Sequence, residues 1–244
     1  MGADQDLMRV VGHVDRTVGR NLERHPGGWP GQSELALLDA VFSARASYGR
    51  PQDGDRPATG VHRVLDHWRS LQNQKVLDDL ERLVATIDAT GLDQLAATNG
   101  QRVPGRAADR LTKWEAVRSV AESLVGAGFG SSSPIIEAAR GDDRGRLLVS
   151  FTDTPGVGKV TFDYFLVLLS VPGVKADTMI RAFIDEALRD GLEPGSGDET
   201  RVAPAQARTL LLATADHLSL DPSELDHAAW LHQRSVRRSF QGSN

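Results

Sequence analysis

The sequence predicts an all-α protein, and three observations carry that prediction. Apolar residues recur at helical spacing through nearly every segment, no stretch alternates convincingly at period two, and helix-starting residues stand at several segment boundaries.

Taken in order, Leu7, Val10, Val11, Val14, Val18 and Leu22 form the first apolar stripe, broken by the Pro- and Gly-rich run from His25 to Gly31. Leu35, Leu37, Leu38, Val41 and Phe42 form the second, with Ser33 ahead of Glu34 as its start signal. A polar loop from Tyr48 to Gly60 follows. Helices are then expected near Val61–Leu71, Val76–Ile87, Leu92–Ala97 and Leu111–Leu124. After a Gly- and Ser-rich break from Gly126 to Ser133, shorter helices are expected at Pro134–Ala139, Arg144–Phe151 and Val160–Ser170. Asp177 ahead of Thr178 opens Asp177–Arg189. Beyond a loop containing Gly191 to Gly197, Pro204–Leu218 and Pro222–Arg237 complete the set, the last with Asp221 placed to cap and Pro222 in the first turn. No internal repeat or long low-complexity tract occurs.

Composition narrows the function. At 244 residues, 40% hydrophobic and 25% charged, the chain can bury a substantial core and has globular proportions. The absence of cysteine excludes disulfides, thiolate zinc sites and cysteine-ligated iron–sulfur clusters. The longest apolar run, Phe162 to Val171, is too short to cross a bilayer, so no membrane partner is expected. Asp4 and Asp6 stand where a secretory signal would carry basic residues, and a cytoplasmic location is expected, nucleoid-associated in a bacterium.

A formal charge of −5 means that any nucleic-acid binding uses a local basic patch. Two are visible: Arg102, Arg106, Arg110, Lys113 and Arg118 between Gln101 and Arg118, and Arg234, Arg237 and Arg238 in the tail. Either could equally be a solvated helix face. The seven histidines show no strong metal spacing, His227 and His232 being five apart, so no metal site is expected. No Ser-His-Asp arrangement or Walker-type loop emerges.

The most informative stretch is Thr154-Pro155-Gly156-Val157-Gly158-Lys159-Val160-Thr161, with Asp177 nineteen residues after Gly158. Two glycines let main-chain N–H groups approach an oxyanion, and the helix that follows adds its positive end. Alone, such a turn is weak evidence. Its surroundings strengthen it: Leu147-Leu148-Val149 before the turn, Phe162-Asp163-Tyr164-Phe165-Leu166 after it, then Pro172-Gly173 and Asp177-Thr178. Phe42-Ser43-Ala44-Arg45-Ala46-Ser47, Lys113-Trp114-Glu115-Ala116-Val117 and Asp226-His227-Ala228-Ala229-Trp230 lie on either side. In this order, across roughly residues 32 to 232, these pieces closely resemble the helix-hairpin-helix (HhH-GPD) superfamily of base-excision DNA glycosylases, and within it the endonuclease III-like members.

The resemblance implies a two-lobed helical fold, with a six-helix barrel-like lobe at 32–172 that includes the hairpin and a second lobe from 1–31 plus 173–244. Double-stranded DNA would lie across the cleft of a monomer. Gly156, Val157 and Gly158 would supply phosphate-binding amides, with Lys159 and Thr161 as adjacent side-chain contacts and a monovalent cation at the hairpin. Asp177 falls on the family's catalytic aspartate, where a fixed anion stabilises the positive charge that builds on deoxyribose as an N-glycosidic bond breaks, or orients water. It could also simply cap the helix from Thr178. Val160 replaces the lysine of bifunctional members, so a monofunctional hydrolase without lyase activity is expected. The missing cysteines place the chain among relatives without an iron–sulfur cluster. Arg45 occupies the position of a wedge residue, with an ordinary surface ion pair as the other reading. Tyr48, Trp68, Trp114, Val160 and Tyr164 are candidates for a base pocket, core packing being the competing role for the aromatic residues. A noncatalytic helix-hairpin-helix DNA-binding or damage-recognition protein is the alternative function. An incidental glycine turn within an ordinary helical bundle is a third.

Overall fold

A computed structural model describes residues 2–22, 28–105, 110–171, 173–174, 176–189 and 202–241, with the main chain alone for residues 2, 3 and 237–241. Among them it contains twelve helices and no strand: α1 (Gly2–Thr17), α2 (Ser33–Ser43), α3 (Gly60–Ser70), α4 (Leu80–Thr90), α5 (Leu92–Thr98), α6 (Lys113–Gly126), α7 (Ser132–Arg140), α8 (Arg144–Thr152), α9 (Lys159–Leu168), α10 (Thr178–Arg189), α11 (Pro204–Leu218) and α12 (Pro222–Gln241). The all-α expectation holds. The chain divides into two compact units, Gly28–Val171 and the pair Met1–Gly27 with Pro172–Asn244.

Helix ends differ from the sequence reading where local hydrogen bonding intervenes. The first stripe predicts a helix through Leu22, yet α1 ends at Thr17 because Gly19, at φ +71°, turns its N–H back onto Val14 O at 2.8 Å. Val18 and Leu22 still pack against the core of their unit, which is why the stripe outlasts the helix. The fourth helix starts at Leu80 rather than near Val76, since Asp79 Oδ1 accepts the Arg82 N–H at 3.0 Å and Val76 is left exposed. Thr112 and Glu115 form a reciprocal capping box that starts α6.

The larger unit is built around α2, which packs against α3, α6 and α9. Every residue from Ser33 to Phe42 is buried, so this helix is covered all round rather than amphipathic. Two carboxylates go inside with it, and both are held by donors. Glu34 accepts from Trp68 Nε1 at 2.9 Å and from the Asp79 N–H at 3.2 Å, and pairs with Arg82. Burial, outweighing those bonds, pushes its pKa upward. Asp39 accepts from Tyr48 Oη at 2.6 Å and Trp29 Nε1 at 2.9 Å. In the smaller unit, α10 packs against α1, α11 and α12 over a core that includes Val14, Ile180, Phe183, Ile184, Leu211 and Leu225. No helix among the described residues is long and apolar enough to cross a membrane.

Candidate nucleic-acid interface and the Asp177 carboxylate

The hairpin of the larger unit joins α8 to α9 through Asp153 to Gly158. Pro155 and Gly156 occupy the centre of a turn closed by the Val157 N–H donating to Thr154 O at 3.1 Å, and Gly156 takes φ +82°. Proline followed by a positive-φ glycine is the signature of a type II turn. Only glycine fits there, because a Cβ would stand 2.4 Å from Val103 Cγ2 and 3.0 Å from Pro104 O. Buried Thr154 anchors the turn by donating to Ser119 Oγ at 3.0 Å.

The amides sort into two groups. Val157, offered by the sequence as a phosphate donor, has its N–H engaged inside the turn. Among the described residues, Gly158 and the first-turn residues Lys159, Val160 and Thr161 make no main-chain bond to a carbonyl, and Gly158 provides no side-chain cap. These are the orphan donors of a helix start, at its positive end. A Cβ on Gly158 would meet nothing within 4 Å, so the approach to these amides is open. Lys159 is engaged: its ammonium donates to the buried Asp163 carboxylate at 2.6 Å, with Arg144 3.6 Å from the same group. A phosphate contact by Lys159 would compete with that pair. Thr161 and Val160 are half-buried at the start of α9.

Pro104, whose carbonyl lies close to Gly156 of the hairpin, also lines a surface hollow together with Arg45, Gln101, Arg102, Gly105, Arg110 and Lys113. No acidic side chain lines it among the described residues. Arg45 is exposed and takes φ +50°, a backbone strain uncommon for a residue with a side chain. What holds it there is Lys113. This lysine is 1% exposed and donates to Phe42 O at 2.8 Å, Ala44 O at 2.9 Å and Gln101 Oε1 at 3.1 Å, closing the carbonyl end of α2 just before Arg45. Burial lowers its pKa to about 8. The first basic stretch of the sequence is therefore divided: Arg102 and Arg110 line the hollow, Arg118 is paired with Asp88 and Glu122, and Arg106 lies outside the described residues. In the tail, Arg234 covers the Trp230 ring at 5.1 Å, while the side chains of Arg237 and Arg238 lie outside the described residues.

Of the pocket candidates, Tyr48 and Tyr164 come close enough for their side chains to interact, with Tyr48 donating to Asp39. Burial, then the adjacent Asp39 charge, raises the Tyr48 phenol above its ordinary range. Trp29 completes this cluster, with Arg69 4.9 Å above its ring. Sequence reading missed Asp39 and Trp29. The available signal was a carboxylate inside the otherwise apolar run Leu35 to Phe42. Trp114 and Trp68 stand in the core instead of at a pocket wall: both are fully buried, Trp114 edge-on to Phe42 at 4.9 Å and 6.3 Å from Trp68.

In the smaller unit, Asp177 caps α10. Its Oδ1 accepts from the Met179 N–H at 2.8 Å and the Ile180 N–H at 3.2 Å. The side chain is half-buried, and Oδ2 takes no part in the cap. The carboxylate is thus fixed in place through Oδ1.

Residues 8–234 match the model of a single protein family. The chain belongs to the family described as a domain of unknown function (DUF8548). No curated protein matches the chain. Among solved structures, it is similar to the Schizosaccharomyces pombe 3-methyladenine DNA glycosylase Mag1 in complex with abasic DNA, at 15% identity and a TM-score of 0.52, covering 93% of this chain and 95% of that one. It is also similar to MBOgg1 in complex with a low-affinity DNA ligand, at 11% identity and a TM-score of 0.50, covering 97% of this chain and 71% of that one. Likeness at this identity establishes the helical fold, over almost the whole of this member of DUF8548.

Proposed function

We propose that this protein is a monofunctional DNA glycosylase of the helix-hairpin-helix kind, hydrolysing the N-glycosidic bond of a damaged, mispaired or modified base in duplex DNA. The observation that carries the reading is the hairpin, with a glycine turn braced against Val103 and amides at Gly158, Lys159, Val160 and Thr161 that bond no carbonyl among the described residues. Amides so arranged bind a backbone phosphate without reading sequence. A monovalent cation at the hairpin belongs to the same proposal, near the carbonyl end of α8, where the carbonyls of Ser150, Phe151 and Thr152 accept no main-chain hydrogen bond outside the helix among the described residues. Bound there, it would add positive charge toward the phosphate.

In this reading the DNA passes the basic hollow, with Arg45 as the wedge that fills the gap left by an extruded nucleotide. Tyr48 and Tyr164 border the base pocket together with Val160, whose aliphatic side chain offers no nucleophile. Asp177, fixed by its cap, stabilises the developing oxocarbenium charge or orients water through Oδ2, leaving an abasic site. The two similar solved structures, both described as bound to DNA, support the class of ligand.

Asp177→Asn tests the chemistry cleanly, because asparagine caps a helix as well as aspartate and only the charge is lost. Base release, followed by mass spectrometry over duplexes carrying alkylated, oxidised, deaminated or hypermodified bases, should fall by about a hundredfold or more while DNA affinity changes by less than tenfold. An unchanged rate in the variant overturns the assignment of Asp177. DNA binding with no base released by the wild type across the panel would favour the noncatalytic alternative.

A further inference from the structure

We propose that His13, Glu186 and His232 form a binding site for one divalent first-row transition-metal ion, with zinc the best fit. The three residues come from α1, α10 and α12 of the smaller unit, and one ligand atom from each lies within 4.8 Å of the others. His232 Nε2 stands 3.9 Å from Glu186 Oε2, too far for a hydrogen bond, and is shielded from solvent without a hydrogen-bond partner.

The spacing suits an ion between them. Zinc takes nitrogen and carboxylate oxygen at about 2.0–2.2 Å, which in tetrahedral geometry sets neighbouring donors at roughly 3.3–3.6 Å, so closing the site requires movement on the order of 1 Å. Glu186 can supply that movement because its side chain is 45% exposed. The donor set also selects the metal class. Two imidazoles and one carboxylate suit zinc and its first-row neighbours, whereas calcium and magnesium prefer oxygen alone.

The supporting shell is present as well. Gln233 Nε2 donates to Glu186 Oε2 at 2.5 Å and orients the carboxylate. Phe183 packs edge-on to both imidazoles, 4.7 Å from His13 and 5.8 Å from His232, fixing their planes and giving the site an apolar wall. His13 is buried at 3% exposure, while the Glu186 side opens to solvent and provides an entry path. A bound ion would tie α1 to the two helices it meets from the far end of the chain, and so stabilise this unit by mass action.

The test uses the full chain, freed of metal with a chelator and titrated with Zn²⁺ by calorimetry and Co²⁺ by visible absorption. The wild type should take up about one equivalent, with tetrahedral or five-coordinate cobalt bands and a zinc-dependent rise in Tm. His232→Ala and Glu186→Gln, both at sites open to solvent in part, should weaken zinc binding at least tenfold with unchanged far-ultraviolet circular dichroism. His217→Ala, an exposed histidine of α11, should bind as the wild type does. Absence of saturable binding by the wild type, or equal affinity in the His232 and Glu186 variants, overturns the proposal. None of these readouts involves DNA, so the site stands or falls apart from the glycosylase reading.

Discussion

Gly156 and Gly158, two residues apart, are required for different reasons. At Gly156 both backbone and surroundings exclude a side chain: φ is +82° and a Cβ would collide with Val103. Gly156→Ala should therefore lower the stability of the protein by about 2–4 kcal/mol, combining left-handed strain with overpacking, as read from the denaturant midpoint. At Gly158, φ is −117° and the space is open. Gly158→Ala should leave the midpoint within about 0.5 kcal/mol of the wild type. On the proposed reading it should weaken DNA binding all the same, because the methyl group would stand where a phosphate approaches the amides. A variant that folds normally and binds DNA normally would remove Gly158 from the interface. Both glycines are equally conspicuous in the sequence. Their division of labour depends on Val103, which no local pattern connects to them.

At the scale of the element, Lys113 shows how a buried charge can shape a neighbouring loop. Its ammonium holds the carbonyl end of α2 and so sets the turn that presents Arg45. With the folded pKa lowered to about 8 from 10.5, the unfolded chain holds this proton more tightly. Stability attributable to Lys113 therefore rises as pH increases from about 8 toward 10.5, and below pH 8 the penalty for keeping the charge buried is present in full. Lys113→Met should abolish that rise, which denaturant titrations of the two proteins across this range would reveal; parallel pH profiles would refute the account. Helix positions were largely legible because apolar spacing survives burial, and α3, α5 and α9 begin within two residues of the sequence expectation. Boundaries failed where a local hydrogen bond intervened, through the Asp79 side chain at α4 and through the main-chain N–H of Gly19 at α1. Lys113 itself reads as one more basic residue on a solvated face, since nothing near it in sequence reveals that three carbonyl oxygens converge on it.

At the scale of the whole molecule, the order of the pieces from Phe42 to Trp230 made the helical fold legible, while side-chain clusters assembled from distant segments were not. His13 and His232 lie near opposite ends of the chain, and Trp29 reaches Asp39 only after the loop before α2 has folded back, so spacing alone carries no trace of either cluster. The same consideration governs charge. A chain of net charge −5 repels DNA at long range, so binding on the proposed reading must come from a local excess of positive charge. The hollow lined by Pro104 supplies Arg45, Arg102 and Arg110 with no acid lining it among the described residues, whereas Arg118 is neutralised by Asp88 and Glu122. Duplex affinity should therefore fall steeply with salt. Replacing Arg45, Arg102 or Arg110 by glutamine should reduce the slope of log affinity against log salt by about 1 for each residue that meets a phosphate, with Arg118→Gln leaving it unchanged. Fluorescence anisotropy over a salt series measures this directly. A slope insensitive to all three substitutions would move the DNA track off the hollow, even if the hairpin still binds.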